Sequence, residues 1–148
     1  MNIYTTDKIR NVCLLGHGGS GKTSLVEAMA YLSGITSRMG KIADGNTISD
    51  YSKEEQKRQF SINTSVIPIE WEGYKINVID TPGYFDFAGE VEEAMRAAEG
   101  AIIVVNAKDG VQVGCNILAG NGLAGIVTEV GSDYAKVRAI IDDNSNVS

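Results

Sequence analysis

Apolar positions along the chain change their spacing in an ordered way. Val12, Cys13, Leu14 and Leu15 form a continuous run closed by Gly16, which predicts a short buried strand over 12–15 after a polar start at 3–10. Leu25, Val26, Ala28 and Met29 then begin a helical repeat that continues to about Ser33, with Gly34 as its C-terminal stop. Residues 35–58 are rich in Asp, Ser, Thr, Lys and Glu and keep no period; so long a connection in a compact domain is usually functional or mobile. Two strands follow over 62–71 and 74–79, joined as a hairpin at Glu72 and Gly73. Ile62 and Val66 set the alternation of the first, Pro68 marks it as an edge, and Ile76, Val78 and Ile79 make the second more buried. A helix is predicted over 87–98, with Val91, Ala94, Met95 and Ala98 along one face and Glu90, Glu92 and Glu93 on a solvated face. The apolar run 101–105 has the character of a strand in a parallel sheet. Beyond it, 123–130 and 134–141 alternate like two strands around Gly131, Ser132 and Asp133, ahead of a polar tail. Strands and helices in this order predict an α/β layered sheet with its site at the carboxyl ends of the strands, plus a C-terminal β-hairpin.

Composition narrows the classes. A length of 148 residues with 43% hydrophobic content fits one domain with a core. The net charge of -6 argues against an extended basic nucleic-acid surface. No apolar run reaches membrane-spanning length, and residues 1–10 lack the apolar core of a signal peptide. Cys13 and Cys115 give no disulfide framework, so the expectation is a reduced, cytoplasmic protein away from membranes.

The chemistry lies in the turn between the first strand and the first helix. Gly16, His17, Gly18, Gly19, Ser20, Gly21, Lys22 and Thr23 fill the pattern G-x-x-x-x-G-K-[ST], with Ser24 next in the helix, in the strand-to-helix context the pattern requires. Glycines let backbone N–H groups turn inward, so that they and the positive helix end surround a phosphate. Lys22 would reach the outer phosphates, and the Thr23 hydroxyl would take one place on magnesium, which prefers oxygen ligands and keeps several waters. Asp80, Thr81, Pro82 and Gly83 follow the second hairpin strand directly. An acidic residue at a strand tip before a glycine turn can hold magnesium from the far side and offer one N–H to the terminal phosphate. In that setting residues 35–58 become a segment that orders when nucleotide binds.

These motifs carry a family resemblance. From about residue 10 to 114 the chain resembles the GTP-binding domain of translational GTPases, within them the elongation factor G family and its elongation-factor-G-like branch. The matching runs are GHGGSGKTSL, MGKIADGNTISDYSKEEQKRQFSI, DTPGYFDFAGEV and GAIIVVNAKDGVQVG. The resemblance implies GTP or GDP and Mg2+ as ligands and, through the family alone, the ribosome as a partner. It makes Gly16 to Thr23 the phosphate loop, Thr23 and Asp80 magnesium-binding residues, and Gly83 the contact to the terminal phosphate. Ser61 stands where the family's first switch places a magnesium-binding Thr in an R-G-I-T-I run; here the run reads Arg58, Gln59, Phe60, Ser61, Ile62, so the hydroxyl is kept and the glycine is not. Tyr84 stands where most members carry the His that orients the attacking water. A phenol with an unperturbed pKa of about 10 cannot take the same protonation states, so Lys22 and Tyr84 are the candidate catalytic residues of a weak or absent hydrolysis. His17, the sole histidine, receives no catalytic role.

After Gly114 the sequence departs from the family. Neither the guanine-reading N-K-x-D motif nor a later S-A-[LK] loop is present; Asn106, Ala107, Lys108 and Asp109 have the wrong spacing. Charged hydrogen bonds are worth about 1.5–3 kcal/mol each, so each lost pair should weaken nucleotide binding roughly ten- to a hundredfold. Residues 117–148 instead resemble part of the rod-shape-determining MreC family, whose extracytoplasmic β domain carries a similar G-L-x-G-x-V-x-E-V-G run and a D-x-N-S-x-V ending. The expectation is a truncated GTP-binding domain over 1–115 and a foreign hairpin and tail over 116–148, a chimera joined near Cys115. Cut in this way, the 101–105 strand would be a long apolar edge, covered in part by the hairpin or open to self-association. Three readings follow: a guanine-nucleotide module with weak hydrolysis, a base-unselective phosphate-binding domain, and a non-enzymatic truncated or chimeric product.

Overall fold

The computed structural model describes residues 3–106, 116–119, 122–131 and 135–139. Its main sheet has four strands in the order β2-β3-β1-β4: β1 is Ile9–Leu15, β2 Ser65–Trp71, β3 Tyr74–Asp80 and β4 Gly100–Ile103. β1 runs parallel to β3 on one side and to β4 on the other, and β2 pairs antiparallel with β3. The apolar run 12–15 thus lies centrally, as a continuous run requires, with side chains alternating between two cores. On one face Leu14 packs with Val26, Ala30, Ile67, Ile69 and Val78. On the other, Cys13 and Leu15 pack with Ile79 and Ala94. Helix α1, Lys22–Leu32, supplies the first core, and helix α3, Ala88–Ala97, the second. This is an α/β sheet between helices.

The first helix ends as predicted. Gly34 lies at φ +79°, its N–H bonds to the Tyr31 carbonyl, and the Ile35 N–H reaches the Ala30 carbonyl. That pair of bonds is the Schellman termination, which favours glycine at this position. Glu72 at φ 46° and Gly73 at φ 80° form the tight β2–β3 turn, and Pro68 does lie on an edge strand.

Other expectations are corrected. The phase of β2 is the reverse of that set by Ile62 and Val66: Ile67 and Ile69 are buried, while Val66 is 61% exposed. Burying the two isoleucines with Val78 outweighs burying one valine. Met95 is exposed, and Glu90 is not part of a solvated face: its carboxylate accepts the Thr64 N–H at 2.7 Å. The predicted helix start at 87 is a 3-10 turn, Phe85–Phe87. Residues 35–58 are not without structure, since they hold a 3-10 turn, Ile42–Asp44, and helix α2, Lys53–Arg58. Ser52 and Glu55 cap α2 reciprocally, each accepting the other's backbone N–H, which satisfies donors that a short helix leaves orphaned. The segment is tied to the body by buried Glu27, which accepts the Gly40 and Ile48 N–H groups, and by Ser65, which donates to the Ser49 carbonyl.

The C-terminal hairpin is present and has a third strand. β5, Asn116–Ala119, β6, Gly122–Val130, and β7, Ala135–Ala139, form an antiparallel sheet in that order. Among the described residues no strand of this sheet pairs with β4, so covering of that edge by strand pairing is not observed. Lys108, Asp109, Cys115 and the polar tail lie outside the described residues.

Candidate functional site

The site lies where β1 and β3, parallel neighbours, both end. Leu14 is in register with Asp80, and the Thr81 hydroxyl donates to the Leu14 carbonyl at 2.5 Å, so the glycine-rich loop after β1 and the turn after β3 are fixed side by side. Gly83 lies so close to the loop that a Cβ there would come within 2.5 Å of the Gly18 nitrogen and 2.6 Å of Lys22 Nζ. Only glycine fits this approach. Lys22 is nearly buried at the first turn of α1 and donates to the carbonyls of Gly16 at 2.8 Å and His17 at 3.0 Å. Burial lowers its pKa, opposed by the negative charge of Asp80.

Three candidate metal ligands from three segments converge here. Thr23 donates its hydroxyl proton to Asp80 Oδ2 at 2.9 Å, and Ser61 donates to Asp50 Oδ1 at 2.7 Å. The Thr23 and Ser61 hydroxyl oxygens lie 3.2 Å apart. Each hydroxyl has a single proton. Either oxygen can be the donor in the contact between them, and both keep lone pairs able to face a cation. Asp80 is buried, and its Oδ1 has no hydrogen-bond partner among the described residues. Burial raises the Asp80 pKa, opposed by the Thr23 and Ser49 hydroxyls and by Lys22, with the Asp50 charge adding to the rise. Asp50 is raised as well, first by burial and also by the charges of Glu55 and Glu27, against the Ser61 hydrogen bond. Two hydroxyl oxygens in contact, a buried carboxylate oxygen with no hydrogen bond of ordinary length and two buried carboxylates suit a hard cation with oxygen ligands. Among the described residues no group of three or more His, Cys, Asp and Glu converges, so nitrogen- and sulfur-rich metal centres are not indicated.

A cavity of about 140 Å³ opens between these segments, lined by Gly18, Gly19, Gly21, Lys22, Thr23 and Gly83 on one side and by Asp50, Gln59, Phe60, Ser61 and Tyr84 on the other. Its size suits phosphate groups rather than a whole nucleotide. Gly16 and His17 contribute carbonyls to Lys22 instead of lining the cavity. The Ser20 hydroxyl is buried without a partner, and Ser24 is exposed. Asp50 is the residue that sequence reasoning missed. It lies inside the family-like run over 39–62, but nothing in the local spacing marks it out from the polar residues around it. Glu55 was missed too, although the run Ser52, Lys53, Glu54, Glu55 is a readable capping box. Its Oε1 accepts the N–H groups of Ile62 at 3.0 Å and Asn63 at 2.9 Å, which fixes the backbone just after Ser61.

Comparison with known proteins agrees with this geometry. The elongation factor Tu GTP-binding-domain family matches residues 7–119. The barrel core of the rod shape-determining protein MreC matches residues 93–148, overlapping the first match. Mitochondrial ribosome-releasing factor 2 of Danio rerio is 43% identical over 105 residues, 71% of this chain and 14% of that protein. Elongation factor G of Granulibacter bethesdensis is 37% identical over 112 residues, 76% of this chain and 16% of its own length. Among solved structures, a Thermus thermophilus protein superposes with a TM-score of 0.68 at 25% identity, over 90% of this chain and 28% of that one. A bacterial selenocysteine-specific elongation factor superposes with a TM-score of 0.56 at 25% identity, over 71% of this chain and 16% of its own. The chain therefore spans about one sixth of the curated relatives it matches. The matched stretch takes in the glycine loop 16–21, Thr23, Ser61 and Asp80 and all four strands of the main sheet, and this chain belongs to the elongation factor Tu GTP-binding-domain family.

Proposed function

We propose that the chain binds the phosphates of GTP or GDP together with magnesium, and hydrolyses GTP weakly at most. The observation that carries this reading is the Thr23–Ser61 pair, whose hydroxyl oxygens lie 3.2 Å apart beside Lys22 and the buried Asp80 carboxylate. In this reading Thr23 and Ser61 hold the cation, Asp80 acts through water, and Lys22 and the N–H groups of Gly18, Gly19 and Gly21 cradle the phosphates. The bound cation would supply neutralisation of charge on the outer phosphate oxygens. Tyr84, at the place of the water-orienting residue, supports slow hydrolysis because a phenol is a poor proton acceptor at neutral pH.

Titration with a fluorescent GDP analogue and magnesium, competed by GTP, ATP and pyrophosphate, tests the reading, with Lys22→Ala as control. Binding by the wild type that is lost in Lys22→Ala is expected. Equal binding by both, or binding by neither, overturns it. The cavity, whose size suits phosphate groups rather than a whole nucleotide, favours a second reading, a base-unselective phosphate site; equal competition by ATP and GTP would establish that one. Ribosome association is carried by the name of ribosome-releasing factor 2 and lies within the same proposal; that relative is named as mitochondrial, so the cytoplasmic location rests on the sequence expectation alone. Among the described residues no helix is long and apolar enough to cross a membrane. A chimera joined near Cys115 is proposed on the MreC-like match alone; genomic sequence and an intact mass across that position test it, and an uninterrupted GTPase gene would sink it.

A further inference from the structure

Helix α1 buries a second charged side chain besides Lys22. Glu27 is 1% exposed, and no cation pairs with it among the described residues. A carboxylate so placed needs hydrogen bonds to replace its water. It finds them on backbone: Oε2 accepts the Gly40 N–H at 2.6 Å, and Oε1 accepts the Ile48 N–H. One carboxylate thus closes both ends of the loop 40–48, which is also tied internally by the Lys41 N–H on Asn46 Oδ1 at 2.8 Å. The approach is tight, since a Cβ on Gly40 would come within 2.7 Å of Glu27 Oε2 and 2.6 Å of the Asn46 carbonyl oxygen. Thr23 lies four residues back from Glu27, on the same face of α1 and about 6 Å nearer the glycine-rich loop. Asp50 lies two residues on from Ile48 and accepts the Ser61 hydroxyl, whose oxygen is 3.2 Å from that of Thr23. The face of α1 that presents Thr23 therefore also fixes where the chain bearing Asp50 begins.

We propose that Glu27 is a positioning residue for the cation: by pinning both ends of the loop 40–48 to α1, it sets Asp50 and, through Asp50, Ser61 against Thr23. It touches neither phosphate nor cation. Without its two bonds the phosphate half of the site stays built, because Lys22 makes its contacts to Gly16 and His17 within the loop itself. The chain after Ser61 is held separately, by Glu55 and Glu90, so the loss falls on Asp50 and on the seat of the Ser61 hydroxyl. This rests on the nucleotide-binding reading above.

Magnesium titration of the full chain bound to a fluorescent, non-hydrolysable GTP analogue tests it, with the analogue's affinity in EDTA measured alongside. Losing one charge-assisted hydrogen bond corresponds to about a ten- to hundredfold change. Glu27→Gln keeps the volume but turns an NH2 group toward one of the two N–H groups. It is expected to raise the half-saturating magnesium concentration by that factor and to leave the affinity in EDTA unchanged. Glu27→Asp keeps both acceptor oxygens on a shorter stem; it should fall between the wild type and Glu27→Gln, and it serves if Glu27→Gln fails to fold. In a Ser61→Ala background, Glu27→Gln should raise the magnesium requirement much less, since the hydroxyl it helps to seat is gone. An unchanged requirement in both Glu27 variants, an affinity in EDTA that falls by the same factor, or effects of Glu27→Gln and Ser61→Ala that multiply, overturns the positioning role and leaves the binding reading intact. A wild type that binds no analogue overturns both.

Discussion

Gln59 shows how a single position records a constraint. It closes α2 at φ 60° and ψ 36°, a left-handed conformation that costs a residue with a Cβ about 1–2 kcal/mol. In the R-G-I-T-I run that this stretch resembles, the position is glycine, and the backbone explains why. Gln59→Gly relieves the strain but frees the unfolded chain, so a net gain of about 0.5–1 kcal/mol is expected, read as a Tm rise of about 2–4 °C. Glu55 makes a pH-dependent contribution. Burial raises its pKa, but the N–H groups of Asn63 and Ile62 and the Ser52 donors outweigh that and leave it below the ordinary 4.5. A carboxyl depressed in the folded state stabilises above its unfolded pKa, and that stabilisation is lost as pH falls through the folded value. Urea midpoints from neutral pH down to about pH 3 should therefore fall less steeply for Glu55→Gln than for the wild type; parallel curves would refute the assignment. At this scale the motif residues were legible because Lys22, Thr23 and Asp80 sit in fixed spacings. Asp50 was not, since its role depends on a fold that brings it to Ser61, eleven residues away, and no local pattern encodes that meeting.

The elements were legible where apolar runs were long and illegible where polar bonds hold the chain. β1, α1 and the β2–β3 hairpin follow from the runs and their glycine stops. α2 has no apolar face at all, so periodicity could not reveal it, and only its cap carries a signal. The phase of β2 was misread because Val66, Ile67, Pro68 and Ile69 are consecutive apolar residues, and only the position of Val78 and α1 decides which face turns inward. β1 is the element on which the rest depends, with Leu14 fully buried among Val26, Ala30, Ile67, Ile69 and Val78. Leu14→Ala should cost about 3 kcal/mol of unfolding free energy by chemical denaturation, the transfer of the removed carbons plus the cavity they leave. A loss below about 1 kcal/mol would mean that the two cores are not joined through this strand.

At the scale of the whole molecule the two edges of the main sheet differ. β2 carries Pro68, which discourages further pairing, whereas β4 reads Gly100, Ala101, Ile102 and Ile103 and pairs only with β1 among the described residues. Sedimentation over about a hundredfold range of concentration is expected to show reversible association, and a constant monomer would exclude pairing through β4. The overall architecture was legible because alternating strands and helices allow few arrangements, while the third strand of the second sheet escaped because β5 has only four residues. One buried atom lets all of this be timed. Cys13 is 1% exposed inside the second core, and burial holds its thiol above the ordinary range, so it reacts only when the sheet opens. In a Cys115→Ser background its alkylation rate becomes a clock for opening of the sheet. Any ligand held by the native site slows that clock in proportion to its occupancy, so the same thiol can rank GTP, GDP, ATP and pyrophosphate with no label on the nucleotide.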